Sequence, residues 1–260
     1  VKLYVTRISA GKKPMKKLSI FPYRAPMYLL LASCAVIFYV YSTPPFLSPG
    51  KVNTLGIFMS LPGDLPVYSL RFLSSFLLFG LLPILFMLIL GDTPYSLGIR
   101  KPLRYWKLPY IAGGVAISVV FGVVSSFHDG IFHYYPYSHT LADIVQGGAY
   151  HLFLIHTLLY LLLYYLPWEI FFRGMLILPF LPEEGQDEDL NPRLLGIAFF
   201  QVIPSSLLHF GHPFIETLSA VPFGIVAGYL VLRTRSIFPG LLLHFVIGIT
   251  VDLSIIIQGG

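Results

Sequence analysis

Seven stretches of this chain are apolar over the length of a helix, at about 27–41, 69–90, 108–127, 148–181, 195–210, 213–232 and 239–257. A helix crosses the hydrocarbon core of a bilayer in roughly 17–25 residues. A water-soluble globule would need charge to clothe so much apolar surface, and the charge is missing. Only 11% of the residues are charged, and the mean hydropathy is +0.77, where soluble domains run near 25% charged. Five of the twelve acids are spent in the single run 183–189. The expected fold is therefore all-α, a polytopic transmembrane bundle of about seven spans. A soluble cytosolic enzyme is excluded. So is a disulfide-stapled secreted module, because the one cysteine, Cys34, lies inside an apolar run.

Charge placement sets the expected orientation. Lys2, Arg7, Lys12, Lys13, Lys16, Lys17 and Arg24 all precede the first acid, Asp64. A basic arm before an apolar run places the N-terminus in the cytoplasm and can touch anionic lipid. No nucleic-acid-binding fold stands behind it, so nucleic acid is not an expected partner. Arg100, Lys101, Arg104 and Lys107 put 92–107 inside, whereas 128–147 has two acids and no Lys or Arg, which suits the outside. Arg233 and Arg235 mark a cytoplasmic turn. That parity requires residues 148–181 to cross once. As one helix they would measure about 51 Å against a core near 30 Å, so a long, tilted span kinked at Pro167 is expected. The chain divides into a basic cytoplasmic arm (1–26), three N-terminal spans (27–147) and a core (148–257).

Charges inside that core carry the functional reading. Glu169 and Arg173 lie in an otherwise apolar segment at i, i+4, on one helix face. Ionisable groups at membrane depth mark function by default, although a structural ion pair is the plainer alternative. His209 and His244 sit on two later spans at depths that allow convergence with Glu169 in the cytoplasmic half of the membrane. One carboxylate and two imidazoles can activate water and stabilise an oxyanion. The same three side chains, Glu169, His209 and His244, could instead hold a zinc ion. No His-Glu-x-x-His, Gly-x-Gly-Asp or Gly-x-Ser-Gly motif is present.

At these residues the chain resembles the CAAX-protease and bacteriocin-processing family, also called the abortive-infection family, of intramembrane endopeptidases. The family pattern runs Glu-Glu-x-x-x-Arg, Phe-x-x-x-His, then His-x-x-x-Asn or Asp, on successive helices. Glu169 with Arg173, His209 and His244 match it in order, and the segments 221–229 and 232–240 resemble the penultimate helix and its turn. The likeness covers about 148–257. Three positions depart: Trp168 replaces the first glutamate, Ser205 replaces the phenylalanine, and Gly248 stands where Asn or Asp belongs. Asp252, one turn further on, is either a substitute or a helix-end cap.

The resemblance implies a glutamic-type endopeptidase of the bacterial inner membrane, without a cofactor, that cleaves a membrane-associated protein or peptide. Glu169 would be the base, with His209 and His244 polarising the carbonyl and Arg173 orienting the glutamate. A non-catalytic membrane binding or immunity protein that keeps the fold is the alternative. Of the remaining polar residues, Glu216 is read as favouring the positive end of its helix and His212 as a solvated rim residue. His128, His133 and His139 go with Tyr134, Tyr135 and Tyr137 in an interfacial belt. His151 and His156 are given no role.

Overall fold

The computed structural model describes residues 24–44, 46, 61–102, 107–182 and 192–259. The basic arm up to Tyr23, Lys51, Arg104 and the acidic run Glu183–Asp189 lie outside the described residues. Among the described residues the chain is all-helical, with no strand. In order come α1 (Arg24–Tyr41), α2 (Leu65–Ile89), α3 (Leu108–Ser126), the short α4 (Asp129–Tyr134) and α5 (His139–Gln146), and α6 (Tyr150–Phe180). Then follow α7 (Pro192–Phe200), α8 (Val202–Leu207), α9 (Phe214–Thr234) and α10 (Phe238–Gly259).

Five of these, α2, α3, α6, α9 and α10, are long and apolar enough to cross a membrane, and α1 adds a shorter apolar stretch from Pro26 to Tyr41. The helices follow the expected runs in order, with one difference. The run expected over 195–210 is two helices, α7 and α8, broken at Gln201. Pro204 disfavours helical backbone just before it and has no N–H to donate. The Gln201 amide is buried at the break and donates to the Gly224 carbonyl at 2.8 Å, so the interruption is stitched to α9.

Local chemistry sets the helix starts. Pro66 and Pro109 open α2 and α3 in their first turns, where a missing N–H costs nothing. Ser138 caps α5 by accepting from the Leu141 N–H, and the Asp64 carboxylate accepts from the Ser138 hydroxyl (2.6 Å) and the His139 N–H (2.8 Å). An acid at the start of α2 thereby compensates the positive end of α5 and ties two loops together.

α6 is the axis of the bundle. Its most apolar window is 72% buried, against 17–39% for the other four long helices. It is helical without a break from Tyr150 to Met175 and, after a short turn, closes in a 3-10 turn at Leu178–Phe180, consistent with a single crossing. Two π-helical turns, Tyr160–Tyr165 and Ile170–Met175, flank Pro167, Trp168 and Glu169. Such turns are rare and recur at functional sites. Aromatic packing joins α6 to the N-terminal helices: Phe79 lies 4.5 Å from Phe171 and 5.6 Å from Trp168 between ring centroids, and Tyr39 lies 5.9 Å from Trp168. Small residues let helices touch elsewhere. A Cβ on Gly122 of α3 would meet the Ile247 carbonyl of α10 at 2.8 Å, and one on Gly228 of α9 would meet the Ala198 carbonyl of α7 at 2.6 Å.

Candidate active site

Glu169 is fully buried in the middle of α6. Its Oε1 is 2.9 Å from His244 Nδ1 on α10, and its Oε2 is 3.4 Å from Arg173 Nε one turn along α6. The closeness of α10 depends on Gly240, where a Cβ would stand 2.9 Å from Oε2. With a carboxylate at Glu169, the His244 Nδ1–H donates to it and leaves Nε2 with a lone pair. His209 follows α8 and directs its Nδ1–H to the Ser205 carbonyl at 2.7 Å, which also leaves Nε2 as an acceptor. Its ring lies 5.8 Å from Trp168.

A cavity of about 470 Å³ opens between α3, α6, α9 and α10, and His209, His244, Arg173 and Trp168 all line it. The rest of the wall is mainly apolar, with Phe121, Phe223 and Leu243 among its residues. Of the four residues singled out from the sequence, three reach this cavity. Glu169 does not line it: the carboxylate stands behind His244 and Arg173 and acts on the cavity through them. Trp168, in the place of the absent first glutamate, occupies the wall with an indole N–H that is buried without a partner. Among the described residues no three His, Cys, Asp or Glu side chains are grouped to hold a metal ion, and Glu169, His209 and His244 form no such group.

Several residues play parts that the sequence reading did not give them. Glu216 lines the cavity. Its Oε1 accepts from the Tyr135 hydroxyl (2.7 Å) and from His212 Nδ1 (2.8 Å), while Oε2 is buried without a partner. His212 is thus a ligand of Glu216 rather than a solvated rim residue. The tyrosines expected in an interfacial belt turn inward. Tyr135, Tyr137 and Tyr164 are linked through their hydroxyls at 3.1 and 3.2 Å, and burial holds the Tyr135 and Tyr137 phenols well above their usual pKa, hence neutral. Arg71, near the start of α2, is buried with its guanidinium 3.9 Å over the Tyr137 ring.

Asp252 neither completes this site nor caps a helix end, since α10 continues to Gly259. Its Oδ2 is 3.0 Å from His156 Nε2, and His156 Nδ1 is 2.6 Å from the Tyr68 hydroxyl. His156, which the sequence reading left without a role, therefore braces α2, α6 and α10 together. The space at Gly248 belongs to Tyr165, whose hydroxyl occupies the position a Cβ there would take.

The class is now defined: an integral membrane protein whose helices bury a carboxylate–imidazole–guanidinium cluster against a largely apolar cavity. A family model described as type II CAAX prenyl endopeptidase Rce1-like matches residues 150–250, the stretch that carries Glu169, Arg173, His209 and His244. That stretch is similar to the CAAX-protease family, the likeness that the ordered motifs carry. No curated protein and no solved structure matches the chain.

Proposed function

We propose that the protein is an intramembrane endopeptidase that hydrolyses a membrane-associated protein or peptide, with residues 148–257 as its catalytic core. The observation that carries this reading is the Glu169–His244 hydrogen bond at the wall of a cavity that His209 also lines. The carboxylate raises the basicity of the far ring nitrogen and stabilises the imidazolium that forms. His244 Nε2 takes the proton from water, so Glu169 acts as the general base at one remove. His209 Nε2, an acceptor in the tautomer its Ser205 bond imposes, holds the second hydrogen of the same water. Arg173 balances the glutamate in a site that would otherwise raise the cost of its charge. This chemistry uses no cofactor. The membrane is read as a bacterial inner membrane from the family resemblance, and the N-terminus as cytoplasmic from the distribution of Lys and Arg.

A second reading, a binding or immunity protein on the same scaffold, is favoured by one observation: Trp168 fills the wall where a second carboxylate would face the cavity. Comparison of membrane-protein N- and C-termini in cells carrying wild type or Glu169→Gln at matched levels separates the two. Endopeptidase activity predicts termini that are present with wild type and lost with the variant. Identical termini in both support the binding protein.

A further inference from the structure

Hydrolysis at this site needs a donor for the carbonyl oxygen, which becomes negative when water adds. The two imidazoles in their neutral forms do not supply it. Each has committed its Nδ1 proton, His209 to the Ser205 carbonyl and His244 to Glu169, and each leaves a lone pair at Nε2. The Ser205 and Ser219 hydroxyls are also committed, to the carbonyls of Val202 and Glu216. Arg173 turns its Nε towards Glu169.

Two other donors line the cavity, the Trp168 indole N–H, which is buried beside His209, and the Tyr165 hydroxyl, and of the two it is Tyr165 that stands against His244. Its ring packs edge-on against His244, with centroids 4.7 Å apart, and lines the same cavity. Its hydroxyl lies over Gly248, which also lines the cavity. Gly248 comes one turn after His244 on α10, so the hydroxyl and the imidazole share one helix face, roughly 5–6 Å apart along it. Any side chain at 248 would displace that hydroxyl.

We propose that Tyr165 is a catalytic residue, the hydrogen-bond donor to the oxyanion; the proposal rests on the endopeptidase reading above. Water's oxygen bonds to the carbonyl carbon as its proton moves to His244 Nε2. The carbonyl π pair moves onto oxygen, where the Tyr165 O–H donates to it and keeps its own proton. On collapse the pair returns, the C–N bond breaks, and the amine nitrogen takes the proton from His244. One peptide and one water become one acid and one amine, and the residues end as they began.

The test uses the full chain in mixed micelles with a fluorophore–quencher peptide spanning a cut site found in the terminus comparison. Tyr165→Phe keeps the ring and loses the hydroxyl. The expected result is a fall in kcat of about 100–1,000-fold with KM within about threefold. Gly248→Ser leaves the tyrosine in place but displaces its hydroxyl, and is expected to lower kcat in the same way; it serves as the test should Tyr165→Phe not accumulate. A kcat within about threefold of wild type in either folded variant overturns the assignment, as does a rise in KM alone. A wild-type chain that yields no cut site removes the endopeptidase reading, and this proposal with it. Active wild type with active Tyr165→Phe removes only the role of Tyr165.

Discussion

His244 and His156 each bind a carboxylate within the helix bundle, at 2.9 and 3.0 Å, and the two pairs have opposite surroundings. The His244 side chain is 19% exposed, at a cavity wall, whereas His156 is 2% exposed and closed in by Phe72 and Tyr160. Glu169 also has a cation, Arg173, within 3.4 Å, while Asp252 has His156 as its partner. Imidazole and carboxylate chemistry is therefore common to both, and access to a cavity separates them. The first pair has a free ring nitrogen facing space where substrate and water can sit. The second has both ring nitrogens occupied, by Tyr68 and Asp252, and joins three helices. A buried pair of this kind indicates catalysis only when one edge of it is open.

Apolar replacement of both partners exposes the difference in stability. The largest effect is expected for Glu169→Leu with His244→Phe, which strips Arg173 of its carboxylate and leaves its charge buried. A loss of about 3–5 kcal/mol is expected, read as a lower midpoint in detergent unfolding. His156→Phe alone orphans Asp252 and is expected to cost a similar or slightly smaller amount. Adding Asp252→Leu to it should recover most of that loss, because removing both partners of a buried pair is often near neutral. A double variant at the second site as unstable as the one at the first would show that the two pairs are held alike.

The spans were legible because hydrocarbon imposes both length and composition, and the single crossing by α6 followed from the charges of the loops around it. Glu169, Arg173, His209 and His244 stood out because charge inside an apolar run is conspicuous and because their order matches a family pattern. The same rule applied to Tyr68, His156 and Asp252 would have marked three polar groups on three spans, but 88 and 96 residues separate His156 from its partners and no motif joins them. Glu216 was read as an element of its own helix because a carboxylate in a first turn has a sufficient local explanation. Its place on the cavity depends on the tyrosine loop folding inward over α9. Tyr165 left no trace because helices in lipid are apolar on every side. Periodicity therefore does not say which face looks inward, and a tyrosine in such a run is one of many.

The contrast between the two pairs is tested most directly by His244→Phe and His156→Phe, measured side by side for peptide cleavage per folded molecule and for unfolding midpoint. The account predicts opposite outcomes. His244→Phe should lose about a thousandfold or more in cleavage, with the smaller shift in midpoint because Glu169 keeps Arg173. His156→Phe should lower the midpoint by about 2–4 °C for each kcal/mol lost, while each folded molecule still cleaves. Cleavage that survives in His244→Phe, or is abolished in folded His156→Phe, would contradict it.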